Sequence, residues 1–217
     1  MTELSIRRGG GFLTSNQVTS RAAKGSRGMG GARGFDREKD DFYPTPAALL
    51  DPLIMRDRQH IATGVWEPAC GDGAICKILE RYDIPALGTD LVDRGYGMPR
   101  VDFLMENKRP DAFDAMITNP PFRLWKEFAE HATSLRIPYI ALLGRLQLLE
   151  GKRISALFKK TNLSRVMVSA GRVNMLPPGA EDKGHNGMIA WAWFVWVPDY
   201  LGPPTLEWFT PAKPDVA

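Results

Sequence analysis

Asn119-Pro120-Pro121-Phe122 follows directly on the apolar run Phe113–Thr118 and brings together three groups able to handle a planar amine. Asn119 offers an amide, Pro120 a carbonyl that cannot be drawn into a helix, and Phe122 an exposed aromatic ring. That set suits holding an exocyclic amine, such as that of adenine, while a methyl group is delivered to it. The same residues also make a plain strand-to-loop exit, since Asn-Pro marks turns and Pro-Pro stops regular structure. The choice between the two depends on the residues upstream.

Trp66-Glu67-Pro68-Ala69-Cys70-Gly71-Asp72-Gly73 falls between a predicted strand and a predicted helix. Small residues there let the backbone approach a ligand closely, and the helix start that follows favours negative groups. A phosphate loop of the Gly-Lys-Ser/Thr type is excluded, and the dinucleotide fingerprint lacks its third glycine. A tight turn with no ligand is the alternative. Asp90 closes the second predicted strand about twenty residues beyond the glycines, where an acid binds ribose hydroxyls in such sheets. Asp102-Phe103 closes the third, pairing an acceptor for an adenine amine with an aromatic plane. Glycines, an acid and an acid-aromatic pair at three successive strand ends are most economically explained by a bound adenosine, because ligands of open α/β sheets sit at the carboxyl ends of strands.

The elements that must position these groups alternate between strand-like and helix-like patterns from Asp41 onward. Helical spacing is predicted over Pro46–Arg56, with Thr45 as N-cap and Pro46 at the first helical position. Strands are predicted at Ile61–Glu67, Ala86–Asp90, Arg100–Leu104, Phe113–Thr118, Pro138–Leu143, Arg165–Ala170 and Met188–Val197. Helices are predicted at Ala74–Tyr82, from Leu124 through Trp125, Phe128, Ala129 and Ala132, and at Leu148–Lys159. Such alternation argues for a doubly wound α/β sheet. Trp191 and Trp193 alternate at strand spacing and Trp196 breaks the parity, and core packing is expected of them over base stacking.

Composition narrows the remaining classes. The 217 residues are 44% hydrophobic, enough for one full core, and the formal charge of +3 says little about partners. Cys70 and Cys76 lack zinc-site or disulfide-framework spacing. His60, His131 and His185 are scattered, and no metal is expected. There is no signal-type apolar stretch, and the longest apolar run, Met188–Pro198, is about half the ~20 residues a membrane helix needs, so a cytoplasmic protein is expected. Residues 1–40 hold about eight Lys or Arg against about four acids, with about eight glycines. Arg7, Arg8, Arg21, Lys24, Arg27 and Arg33 could track a phosphate backbone, or the segment could be a leader with no task. Arg172, Asn174 and Lys183, in a glycine- and proline-rich loop, could touch DNA or simply be solvated.

Taken together, Tyr43-Pro44-Thr45-Pro46, Pro68-Ala69-Cys70-Gly71-Asp72-Gly73, Asp90, Asp102-Phe103 and Asn119-Pro120-Pro121-Phe122 resemble the S-adenosylmethionine-dependent DNA adenine-N6 methyltransferases. Their order resembles the gamma arrangement, and small phage and prophage enzymes are the nearest likeness. Leu148-Leu149-Glu150-Gly151 and Trp193-Phe194-Val195-Trp196 are similar to that group as well. The resemblance implies a Rossmann-like class I methyltransferase fold, α/β, with a mostly parallel seven-stranded sheet and an antiparallel last strand. It implies a domain over residues 41–200, after the basic arm of 1–40 and before a proline-rich tail of 201–217 that packs as an extended segment. By the same resemblance, Asn119, Pro120, Pro121 and Phe122 form the catalytic motif: Asn119 and the Pro120 carbonyl accept hydrogen bonds from the target amine, and Phe122 stacks on the base. Tyr43 and Thr45 line the methionine end of the cofactor, and Glu67, Cys70, Gly71 and Gly73 its backbone. Asp90 takes the ribose, Asp102 and Phe103 the adenine.

Two points bear on substrate. Positioning and electrostatics can supply most of the catalysis with a methyl donor that is already an activated cation, so no histidine is required near Asn119. A duplex target must be flipped out at a few kcal/mol, which stacking worth ~1–3 kcal/mol per base helps to offset. The chain departs from restriction-linked relatives in having no inserted domain between strands and about twenty residues after the last predicted strand. Base-edge readout needs several side chains fixed in a groove. Low or short sequence specificity is therefore expected, with the basic arm supplying affinity. The same motif could serve an RNA base or a protein glutamine amide, and a non-catalytic nucleic-acid-binding relative is the reading from another class.

Overall fold

A computed structural model of the protein describes residues 41–180, 187–197 and 199–212. Its strands are β1 (Val65–Glu67), β2 (Ala86–Asp90), β3 (Met98–Pro99), β4 (Ala115–Thr118), β5 (Tyr139–Arg145), β6 (Arg165–Ser169), β7 (Trp191–Trp196) and β8 (Thr205–Phe209). They form one sheet in the order β3-β2-β1-β4-β5-β7-β6-β8. Only β7 runs antiparallel to its neighbours, β5 and β6. The chain winds one way from β1 to β3 and the other way from β4 to β5. The β1/β4 boundary is thus a topological switch point, where open sheets leave a crevice at their carboxyl edge.

Apolar residues on both strand faces are what make this a three-layer structure. Helices α1 (Ala47–Ile61) and α2 (Ala74–Arg81) bury Leu49, Leu53, Ile75 and Leu79 against Val65, Ile117, Leu143 and Trp193. Helices α3 (Trp125–Ser134) and α4 (Lys152–Thr161) bury Trp125, Phe128 and Leu157 against Trp66, Met116, Leu142 and Phe194. Each such side chain contributes about 1.5–3 kcal/mol when withdrawn from water. The tryptophan parity follows directly: Trp191 and Trp193 fill the first core, Trp196 the second, and all six residues of β7 are buried. Three indoles also anchor backbone, Trp193 Nε1 donating to the Leu49 carbonyl at 2.8 Å, Trp125 Nε1 to that of Leu143 at 2.9 Å and Trp191 Nε1 to that of Val173 at 3.1 Å.

Four boundaries differ from the sequence reading. α1 runs on to Ile61 because Leu50, Ile54, Asp57 and Ile61 keep helical spacing and are all buried, which leaves β1 only three residues. Pro46 itself is the N-cap, so Thr45 lies one residue outside the helix and buries its side chain. The third strand is two residues long at Met98–Pro99, since Arg100 turns to φ 64°. Asp102 therefore caps the 3-10 turn Phe103–Met105 instead of closing a strand. Finally, the sheet has eight strands: Thr205–Phe209 pairs in parallel with β6 from Arg165↔Thr205 to Ser169↔Phe209. The Ala212 N–H then reaches the Ala48 carbonyl at 3.0 Å, tying this segment to α1.

At the amino edge of the sheet a buried cluster joins α1 to the strands. Asp57, where the helix departs from helical φ/ψ, accepts from Tyr139 Oη at 2.7 Å and pairs with Arg165 Nη2.

Candidate active site

The carboxyl ends of β1, β2 and β4 open onto a cleft of about 980 Å³, counted out to its mouth. Nine of the residues singled out in sequence line it: Tyr43, Thr45, Glu67, Cys70, Asp90, Asp102, Phe103, Asn119 and Pro121. Gly71, Gly73, Pro120 and Phe122 do not line it: the glycines form the turn around the lining residue Asp72, and Phe122 lines a neighbouring cleft.

The glycine turn needs its glycines. Gly71 and Gly73 have φ of 56° and 83°. A Cβ would meet Phe42 Cε2 at 2.3 Å in the first and Tyr96 Cγ at 2.5 Å in the second. Neither ring was anticipated from sequence. The Asp90 carboxylate ties the turn to β2, with Oδ2 accepting from the Gly71 N–H and Oδ1 from the Val92 N–H, both at 2.8 Å. Each oxygen keeps lone-pair capacity for a further donor. Asp102 Oδ1 accepts from the Leu104 N–H at 3.0 Å. Phe103 is 2% exposed and packs edge-on to Trp66 at 5.2 Å and near Phe128 at 4.7 Å, so it reaches the cleft as part of the core wall and not as a free plane.

Glu67 is the acid of the site that its surroundings perturb most. Burial pushes its carboxyl well above the usual carboxylate range, and the nearby charge of Asp90 adds to the effect. Burial also pushes the Cys70 thiol up to about 12, with Glu67 and Asp90 contributing. Cys70 is a thiol at neutral pH, which argues against a thiolate nucleophile.

Asn119 stands across the cleft at the end of β4. Its Nδ2 donates to the Tyr43 carbonyl at 3.0 Å and lies 3.5 Å from Met175 Sδ. Both neighbours are acceptors, so the NH₂ must face them and Oδ1 must face away. That Oδ1 is buried and has no hydrogen-bond partner. No backbone hydrogen bond reaches the Pro120 carbonyl among the described residues. Two acceptors on adjacent residues are thus uncommitted.

Phe122 is less free than expected. Its ring stacks with Tyr43 at 6.0 Å and with Trp191 at 5.9 Å, and the Arg145 guanidinium lies over it at 4.6 Å. Sequence reading missed Arg145 and Met175, and it favoured core packing over base stacking for Trp191. A period-2 pattern cannot show which strand-end residue faces a neighbouring loop. Arg172 donates to the Met188 carbonyl at 3.1 Å, bracing the β6–β7 connection. Arg7, Arg8, Arg21, Lys24, Arg27, Arg33, Lys183 and His185 lie outside the described residues. Among the described residues no cluster of His, Cys, Asp and Glu could hold a metal, and no helix is long and apolar enough to cross a membrane.

No family model matches the chain, and no curated protein matches its sequence. Among solved structures, a presumed RNA methyltransferase from Pyrococcus horikoshii superposes with a TM-score of 0.54 at 14% identity, over 76% of this chain and 93% of that one. The fold is that of the Rossmann-like class I methyltransferases. Looser likenesses are a SAM-dependent methyltransferase from Archaeoglobus fulgidus (TM-score 0.45, 10% identity, 67% of this chain and 92% of the other) and a predicted O-methyltransferase from Agrobacterium tumefaciens (TM-score 0.44, 15% identity, 76% and 83%). Neither decides anything about activity.

Proposed function

We propose that this protein transfers a methyl group from S-adenosylmethionine to the N6 amine of adenine in DNA, with the target base flipped out and with low or short sequence specificity. The observation that carries the reading is the Asn119 amide oxygen, buried, unpartnered and turned away from Tyr43 in the lining of the cleft. A buried acceptor without a partner is rare in proteins and points to a ligand donor.

The residues present fit the cofactor. Gly71 and Gly73 supply a close backbone approach, Asp90 keeps lone pairs for ribose hydroxyls, and Asp102 offers an acceptor beside Phe103 for adenine. Glu67, Cys70, Tyr43 and Thr45 would take the methionine portion. When bound, S-adenosylmethionine supplies the activated methyl group. This chain's own part is electrostatic: acceptors at Asn119 Oδ1 and the Pro120 carbonyl would hold both N–H bonds of the target amine. That fixes the direction of the nitrogen lone pair and stabilises positive charge developing there. Pro121 keeps the turn rigid, and Phe122, braced by Tyr43 and Trp191, would present its remaining surface to the base.

The DNA assignment draws on the Tyr43–Pro46 element, whose Tyr43 carbonyl orients Asn119. The arm residues Arg7, Arg8, Arg21, Lys24 and Arg27, with Arg172, would add backbone affinity. Methylation of an RNA base by the same site is the second reading, favoured by the RNA methyltransferase likeness. Radiolabelled transfer to duplex DNA, single-stranded DNA, RNA and protein in parallel separates these. Label in DNA is expected, and label in RNA or protein alone overturns the proposal. Methylation mapping tests the specificity, since one modified motif of about six or more defined bases would exclude the low-specificity form.

A further inference from the structure

Beside the first cleft lies a second one, of about 640 Å³ counted to its mouth, lined by Phe122, Arg123, Trp125, Arg145, Gln147 and Leu148. Two guanidinium groups line it and no carboxylate does. Arg123 is engaged, with its Nε 3.7 Å from Asp41. Arg145 is not. Its Nε is buried with no hydrogen-bond partner, and among the described residues its one charge-related contact is the Phe122 ring, 4.6 Å from the guanidinium carbon.

The fold places Arg145 there on purpose-built footing. It ends β5 opposite Trp191, whose indole stacks with the same Phe122 ring. A guanidinium resting on an aromatic face keeps its plane oriented and loses little further freedom on binding. An unsatisfied N–H on a permanent cation calls for an anionic acceptor, and the planar fork matches phosphate oxygens. Arg123 lines both clefts, and Phe122, in the second, lies three residues along the chain from Asn119, whose oxygen is unpartnered at the first.

We propose that Arg145 is a phosphodiester-binding residue: it takes a backbone phosphate of the nucleic-acid strand whose base amine is presented to Asn119, with Gln147 as the neighbouring polar contact. This rests on the proposed transfer to a nucleic-acid amine. It goes further by assigning the strand's backbone to the second cleft, beside the target base held at Asn119.

The test is binding of a fluorescent single-stranded oligonucleotide, DNA or RNA, across a salt series, with wild-type protein, Arg145→Gln and Arg145→Lys. Losing one phosphate contact lowers the slope of log K against log salt by about 0.7 for a single strand. Arg145→Gln is expected to show that drop and weaken binding about tenfold at low salt, whereas Arg145→Lys keeps the slope because it keeps the charge. An oligonucleotide with neutral methylphosphonate linkages should bind wild type and Arg145→Gln alike. Cofactor affinity is followed in every variant as a check on folding. An unchanged slope overturns the proposal, and so does a matching loss of cofactor affinity in both variants. Stronger Arg145-dependent binding of an acidic peptide than of the oligonucleotide would assign the cleft to protein and overturn it too. Should the wild type bind with an Arg145-dependent slope yet transfer no methyl to any nucleic acid, the methyl-transfer reading fails while the phosphate site stands. Transfer with a slope indifferent to Arg145 does the reverse.

Discussion

The Asn119 side chain is oriented by the backbone of Tyr43, its Nδ2 donating to the Tyr43 carbonyl at 3.0 Å across 76 residues of sequence. Pro44 holds the preceding residue in extended conformation, which fixes where that carbonyl points. The Tyr-Pro-Thr-Pro segment thus sets the direction of the Asn119 acceptor, and the two motifs act as one unit.

Asn119→Ala removes the acceptor without touching the glycine turn. Transfer should fall by about 10²–10³, the usual loss for one transition-state acceptor or donor. Cofactor affinity, read by calorimetry, should stay within about threefold. Comparable losses in both would mean that Asn119 holds the cofactor and not the amine.

Gly71→Ala meets two separate penalties, a left-handed φ of 56° and the Phe42 ring at 2.3 Å from the new Cβ. The backbone part should cost about 1–2 kcal/mol in urea unfolding. In a Phe42→Ala background the steric part vanishes and the backbone part stays. Full additivity of the two substitutions would show that the ring does not press on the turn.

Glu67 gives cofactor binding a pH dependence whose sign is set by burial. In the free protein its carboxyl holds its proton well above the ordinary value of 4.5. A cationic ligand stabilises the ionised form, so binding releases a proton and affinity rises with pH until the raised value is passed. Glu67→Gln should flatten that rise, and calorimetry in buffers of different ionisation enthalpy should lose the released proton. For folding the linkage runs the other way. The folded chain binds the proton more tightly than the unfolded one, so this group's contribution is full below about 4.5 and is lost as pH rises through the raised value.

Asp57 and Arg165 form a buried pair with Tyr139 at the sheet edge opposite the cleft. Arg165→Met alone should cost about 3–5 kcal/mol, because it strands a buried carboxylate. Replacing Asp57 with Leu as well should recover most of that loss. Chemical denaturation reads both, and methyl transfer by the folded double variant should match wild type, since neither residue lines the cleft.

The strand and helix alternation was readable because both periods leave a clear apolar trace, and the glycine, Asp90 and Asn119 positions came with it at successive strand ends. Boundaries failed where local and tertiary forces differ. Ile61 is apolar in either a strand or a helix, and only packing on α1's buried face assigns it to the helix. Thr205–Phe209 has an exposed, mixed pattern that carries no strand signal, and becomes β8 because β6 offers it an open parallel edge.

By itself, the sequence determined the doubly wound class and nine of the residues that line the cleft, since each depends on local pattern and residue chemistry. Only the tertiary structure decided which atoms are free. It turned Asn119 Oδ1 away from Tyr43, stacked Phe122 with Tyr43 and Trp191, and left Arg145 without an anionic partner. Hydrogen-bond and charge partners come from chain segments far apart in sequence, and whether a polar atom is satisfied can be known only once those segments meet.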